Sequence, residues 1–270
     1  MAYLIPLEDC PIETLAGFKA VLADIDDTLT LHGRLPSEAF AALEALRAAG
    51  LIVVPVTGRP AGWCDHIARM WPVDGVVGEN GAFYFRYDDE AKKMRRVYAQ
   101  PAEERRANLD KLWTIVKRVL ADFPGTAIAS DQAYREIDVA IDFREDMPPL
   151  PLSTAEAIAR AFIDEGATAK ISSIHVNAWF GTHDKLSMSR QFLSKFLGAD
   201  IDAEKNRVAY VGDSPNDAPM FAFFPNAVGV ANIVPFRAMM SSLPHFVTEN
   251  EGGYGFAEFA QAILDARASA

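Results

Sequence analysis

Cysteine is scarce in this sequence. The 270 residues include two, Cys10 and Cys64, far apart and outside any CxxC or CxH pattern. That argues against a disulfide framework and a structural zinc site, and leaves free thiols of the kind kept in a reducing compartment. Long apolar runs are also missing. No stretch approaches the roughly 18 uncharged residues of a membrane span, and the opening MAYLIPLEDCPIETLAGFKAV lacks the basic start and continuous apolar run of a secretory signal. A cytoplasmic chain with no membrane partner is the expectation. Positive charge is in deficit, with 26 Lys and Arg against 37 Asp and Glu, a net charge of −11. Phosphate backbones are held by lysine and arginine, so this balance opposes nucleic acid as a partner. The one basic cluster, Lys92, Lys93, Arg95 and Arg96, reads as a solvated hairpin. A small phosphorylated ligand stays compatible, because a bound cation or a locally positive pocket outweighs the global sign.

What is present is a globular composition, 50% hydrophobic and 23% charged, with enough apolar material for one large domain or two smaller ones. Residues 19–25 (KAVLADI) read as a buried strand that ends on acidic residues. Residues 37–49 read as a helix with Phe40, Leu43 and Leu46 at three-residue spacing, and 51–56 (LIVVPV) as a strand too apolar for a wet edge. Continuously apolar strands alternating with helices predict a parallel sheet covered on both faces. From about Phe85 the texture changes to a charged hairpin and a helix over 102–123. An alternating segment at 136–143 (EIDVAIDF) predicts a strand with one wet face. Ser153 or Thr154 is placed to cap a further helix, and 169–180 supplies one or two more strands. After Gly181 the α/β alternation returns. The predicted fold class is α/β: a Rossmann-like parallel-sheet core with helices on both faces, built from 1–84 and 181–270, plus an inserted α+β domain over 85–180.

Four islands at predicted strand ends carry chemistry, and that edge of an open α/β sheet is where ligands bind. The first is Asp24, Asp26, Asp27 and Thr28: three carboxylates in four residues repel one another unless a cation is present. The second is Thr57, Gly58 and Arg59, a hydroxyl, a flexible backbone and a guanidinium suited to an oxyanion. The third is Lys185, where the core resumes. The fourth is 212–217 (GDSPND), with Asp213, Asn216 and Asp217. Carboxylates with no His or Cys nearby point to magnesium rather than zinc. Taken singly, the first two islands are equally well read as ordinary turns and Lys185 as a surface charge.

Together, in this order, the islands resemble the haloacid dehalogenase-like (HAD) phosphohydrolases. Asp24-Ile25-Asp26-Asp27-Thr28 matches motif one, Thr57 motif two, Lys185 motif three and Gly212 to Asp217 motif four. The long insertion, with Glu79-Asn80-Gly81-Ala82 ahead of it, resembles subfamily IIB, the Cof-type and sucrose-phosphate phosphatase-like members, in which an α+β cap domain sits there. Asp27 stands where Gly is frequent in the family, and Leu186 follows the lysine where Gly is frequent; neither removes a catalytic group. The resemblance implies a Mg2+-dependent phosphatase acting on a small phosphorylated metabolite, a sugar phosphate or a phosphoglycerate derivative. In it Asp24 is the nucleophile, Asp26 the acid–base and Lys185 the neutralising cation. Thr57 binds the phosphoryl group, and the metal is held by Asp24, the Asp26 carbonyl, Asp213 and Asp217. A phosphomutase of the same fold, and a regulatory protein that binds a phosphate ligand without cleaving it, are the alternatives.

Substrate contacts are expected from Gly58, Arg59, Asn80 and Asn216 on the core rim and from Arg135, His175 and Asn177 in the inserted domain. His175 and Asn177 share one face of a strand by alternation, a pattern a solvated sheet face also produces. Trp63, Trp71, Trp179 and Phe180 read as packing residues. Oligomeric state is open between a monomer and a weak homodimer.

Overall fold

Two covered faces explain why the central strands are apolar at every position. The computed structural model describes residues 4–269. The chain opens with β1 (Ile5–Pro6), α1 (Ile12–Ala16), β2 (Ala20–Ala23), α2 (Ser37–Ala48), β3 (Ile52–Pro55), α3 (Ala61–Met70) and β4 (Val76–Gly78). A middle stretch follows: β5 (Phe83–Asp88), β6 (Lys93–Tyr98), α4 (Ala102–Asp122), β7 (Ala127–Ile128), β8 (Val139–Asp142), α5 (Leu152–Ile163), β9 (Thr168–Ile171) and β10 (His175–Trp179). The last part holds α6 (Lys185–Leu197), α7 (Ile201–Glu204), β11 (Val208–Gly212), α8 (Ala218–Phe223), β12 (Val228–Gly229), β13 (Phe246–Val247) and α9 (Gly252–Ser269).

Six strands form one parallel sheet in the order β1-β13-β12-β11-β2-β3. Side chains of β2 alternate between its faces. Val21 and Ala23 join a cluster with Leu43, Leu46 and Phe259, and Ala20 and Leu22 join one with Phe192, Tyr210 and Phe221. Register then sets the site. Ala23 pairs with both Pro55 of β3 and Val211 of β11, so the loops after these three strands leave the sheet at one level, side by side.

The hairpin β5–β6 pairs through β5 with β4, and Phe83, Phe85 and Tyr98 pack into the first of those clusters. The remaining middle strands form an antiparallel sheet β7-β8-β10-β9, with a third hydrophobic cluster under α4 and α5. Two expectations are corrected here. β8 has no wet face, because all four of its residues are buried. Its polar neighbours are used internally: the Asp142 carboxylate accepts the N–H groups of Arg144, Glu145 and Asp146. Nor is α5 capped by Ser153 or Thr154; it starts at Leu152 behind Pro151, whose extended backbone takes the cap position without a side-chain bond. No helix among the described residues is long and apolar enough to cross a membrane.

Candidate active site

Asp24 is the first residue beyond β2, and its N–H donates to the Val211 carbonyl, which ties the turn to β11. Lys185 arrives from another part of the chain. Asp184 caps α6, accepting the Ser187 N–H at 2.7 Å while Ser187 Oγ accepts the Asp184 N–H at 3.0 Å, and this fixes Lys185 as the first helical residue. The ammonium lies 3.0 Å from Asp24 Oδ1 and 2.8 Å from Asp217 Oδ1, all three groups being buried. Burial works against the charge on Lys185, but Asp217 and Asp24 outweigh it and hold its pKa above the ordinary range. Burial lifts the Asp24 carboxyl to about 7, with Lys185 pulling it down and Asp217 and Asp26 pushing it up.

Asp24, Asp213 and Asp217 bring carboxylate oxygens within 4.8 Å of one another. Their roles differ by what else they touch. Asp217 is fully engaged: one oxygen accepts from Lys185 and the Tyr210 hydroxyl, the other from the N–H groups of Asp213 and Ser214 at 3.1 and 3.3 Å. Asp213 accepts from Thr28 Oγ1 at 3.1 Å through Oδ1, while its Oδ2 is buried with no hydrogen-bond partner among the described residues. Burial, then Asp217 and Asp24, push the Asp213 carboxyl well above the usual range. A buried acceptor without a donor, beside two more carboxylates, fits a hard cation with oxygen ligands. Asp27 stands outside this group, on left-handed backbone (φ 57°) with its N–H on Thr30 Oγ1. The fully acidic first island is therefore not one ligand set.

The Thr57 turn is held from both sides. Thr57 is fully buried, its Oγ1 accepts the Arg59 N–H at 3.0 Å, and its carbonyl accepts the Asn80 N–H. Asn80 adopts left-handed backbone (φ 55°), and its buried Nδ2 has no partner, a free donor beside Gly58. Arg59 is a hub rather than a free cation. Nε and Nη2 grip Asp26 at 2.8–3.0 Å, Nη2 and Nη1 reach Glu145 at 2.6 and 3.3 Å, and Nη1 reaches Asp131 at 3.4 Å. Burial opposes the charge on Arg59, but these carboxylates keep its pKa raised. Glu145, facing the upward pull of burial, is held at about 2 by His175 and Arg59.

His175 and Asn177 share a face, as alternation requires, but that face is buried, not solvated. His175 Nε2 lies 2.9 Å from Glu145 Oε2, and Asn177 Nδ2 donates to Asp138 at 3.0 Å. Both line a narrow space of about 10 Å³ with Asp24, Asp26, Gly58 and Asn216. The Arg135 side chain has no exposed surface, and four of its five N–H donors bond Asp131, Asp138 and the Gly58 carbonyl, joining the Thr57 turn to the antiparallel sheet. Glu79 does the same from the core side, its carboxylate accepting the N–H groups of Ala61, Glu136, Ile137 and Asp138. Sequence reading missed Glu145, Asp131 and Tyr210. The first two lie in irregular loops without periodicity, and Tyr210 sits in an apolar strand where it reads as core.

The family model for haloacid dehalogenase-like hydrolases matches residues 21–114. A phosphoglycolate phosphatase of Pyrobaculum islandicum is 29% identical over 253 residues, covering 91% of this chain and 96% of that protein. One from Methanoculleus marisnigri is 26% identical over 247 residues, covering 89% and 94%. Among solved structures, the C-terminal domain of the C. albicans trehalose-6-phosphate phosphatase shares the fold with a TM-score of 0.70 at 15% identity, over 98% of this chain and 99% of that one. With the four motifs converging at the carboxyl ends of β2, β3 and β11, the chain is similar to the haloacid dehalogenase-like hydrolases in its first third and shares their fold.

Proposed function

We propose that this hydrolase is a magnesium-dependent phosphatase that cleaves a small phosphorylated metabolite, a sugar phosphate or a phosphoglycerate derivative, through an aspartyl-phosphate on Asp24. The observation that carries this reading is the buried Asp24–Lys185–Asp217 cluster with the unpartnered Asp213 oxygen beside it. Asp24 and Asp213 would hold the metal together with the Asp26 carbonyl, while Asp217, already engaged by four donors, orients Lys185 and the loop from a position next to the ion. When bound, the ion would offset the charge of the phosphoryl oxygens and so ease approach of a carboxylate nucleophile.

Asp24 attacks phosphorus, and Lys185 neutralises the charge gathered between them. Thr57, the unpartnered Asn80 amide and Asn216 would hydrogen-bond the phosphoryl oxygens. Asp26 protonates the leaving alcohol and then takes a proton from the water that hydrolyses the aspartyl-phosphate. Arg59 Nε and Nη2 hold the Asp26 carboxyl in position. The part of the insertion beyond the β5–β6 hairpin acts as the cap, whose Glu145 and Asp131 bond Arg59 of the core. A cytoplasmic location goes with this reading, since Cys10 and Cys64 are unpaired and buried.

The test is a phosphate-release screen over sugar phosphates, phosphoglycolate, phosphoglycerates and nucleotides, with Mg2+ and with EDTA. Release should depend on the metal and vanish in Asp24→Asn while the variant stays folded. Near-normal turnover by that variant would refute the assignment.

A further inference from the structure

A second cavity, of about 540 Å³, opens beside Asp26. Asp26 and Arg59 line it together with Trp63, Ile67, Trp71 and Tyr134. That volume lies in the usual range of small-molecule sites, and the mix of many apolar groups with a few polar ones is typical of them. The space immediately around Asp24 is about 10 Å³, room for about one water. A third space of about 430 Å³ also touches Asp26, Arg59 and Glu145 but runs on to Asp213 past Asp27, Arg144 and Glu251, and it has no tryptophan or tyrosine in its lining.

Two features single out the cavity beside Asp26. Its aromatic walls face open space: Trp63 is 42% and Tyr134 59% exposed, where sequence reading places Trp63 in packing. They come from opposite sides of the cleft, Trp63 from α3 of the core and Tyr134 from the turn before β8. Tyr134 seats so closely on Gly62 that a Cβ there would lie 2.9 Å from its own Cβ. The second feature is charge. The titratable groups facing the cavity are Asp26, Glu145, Arg59, His66 and Tyr134. Arg59 is already surrounded by Asp26, Glu145 and Asp131, so no unspent guanidinium greets a second anion.

We propose that this cavity is the leaving-group subsite, and that it takes an uncharged alcohol carrying a ring with an apolar face. The proposal rests on the phosphatase reading, since it is as the proton donor to the leaving oxygen that Asp26 sets where the alcohol departs. The alcohol then leaves into the space that begins at Asp26. Trp63 and Tyr134 supply the surface that a ring covers, an arrangement aromatic side chains favour. A short acid such as glycolate would leave the aromatic walls bare and bring its carboxylate towards Asp26 and Glu145. The substrate is therefore set apart from that of the phosphoglycolate phosphatases the chain is similar to.

Steady-state kinetics on benzyl phosphate and phosphoglycolate, with saturating Mg2+, test this in the wild type, Trp63→Ala and Tyr134→Ala. The wild type should favour benzyl phosphate in kcat/KM by tenfold or more. Each variant should lower the benzyl-to-phosphoglycolate ratio roughly tenfold, mainly through KM for the ring substrate. Both side chains are exposed, so the fold tolerates the changes, and thermal melts verify it. Trp63 also carries the Arg59 guanidinium at 4.5 Å from its ring; Tyr134→Ala lacks that complication and decides the matter. An unchanged ratio in Tyr134→Ala, or a wild-type preference for phosphoglycolate, overturns the subsite and leaves the phosphatase standing. If neither ester is hydrolysed and the broader phosphate-release screen is also blank, the phosphatase reading falls and the subsite with it.

Discussion

Replacing Asp24 by asparagine swaps an ionisable carboxyl for a neutral amide of similar shape at the centre of the buried acidic cluster, and its effect on stability should change with pH. Without metal, burial raises Asp24 from the ordinary 3.8 to about 7 despite Lys185. A carboxyl whose pKa rises on folding favours the folded state while it holds its proton. That contribution is full below about pH 3.8 and is lost as pH climbs through about 7. At about 1.4 kcal/mol per tenfold change in proton affinity, the rise sets a ceiling of about 4 kcal/mol. Asp24→Asn does not titrate, and Lys185 keeps Asp217 as its partner at 2.8 Å. In EDTA the variant and the wild type should agree within about 1 kcal/mol near pH 4. By pH 8 the variant should be the more stable by up to about 4 kcal/mol, or roughly 8 °C in Tm for a chain of this size. Saturating Mg2+ should narrow or reverse the gap at pH 8, because it binds the ionised wild-type site more tightly and stabilises by mass action. Thermal and urea unfolding between pH 4 and 8, with EDTA and with Mg2+, measure this. A gap in EDTA that stays flat across this range, or that closes as pH rises, would refute the electrostatic picture of the site.

Asp26→Asn should slow hydrolysis of alkyl phosphates by roughly 10²–10⁴-fold. It should slow p-nitrophenyl phosphate far less, since that leaving group departs without a proton; equal losses on both esters would remove Asp26 as the acid. Glu145→Gln should cost about 2 kcal/mol at pH 7 by urea unfolding. The wild-type carboxyl is held down near 2 from 4.5, so its contribution is present above about 4.5 and fades as pH falls towards 2, where variant and wild type should converge. Gly81→Ala places a Cβ against the Asp184 carbonyl on backbone with φ +98°. It should cost more than about 1 kcal/mol and lower kcat by shifting Lys185, readable from melts and single-turnover rates together.

Much of the core was legible because its signals are local. The runs KAVLADI and LIVVPV read as doubly covered strands, and the helices now labelled α2 and α4 begin and end within a residue or so of their sequence signals. Asp24, Lys185, Asp213 and Asp217 were readable because each sits at or next to the end of such an element. Where sequence reading went astray, the cause was tertiary. The alternation in 136–143 and in SSIHVN looks like a wet sheet face, yet those polar residues are buried and bond within the inserted segment, Asp138 accepting from Arg135 and Asn177. Arg135 looks like a free basic residue until the fold spends its donors on Asp131, Asp138 and the Gly58 carbonyl.

The amino-acid sequence by itself determined the α/β alternation, the order of four chemical islands and the residue types at each, since strand and helix periodicity depend on neighbours a few positions away. Only the tertiary structure decided which charges remain free. Asp213 keeps an unpartnered oxygen while Asp217 does not, and Arg59 is enclosed by carboxylates from residues 33, 72 and 86 positions away. Trp63 and Tyr134 meet across a cavity beside Asp26 although 71 positions separate them. Whether a buried polar group is satisfied depends on what the fold brings from a distance, and a single strand of sequence carries no direct record of that.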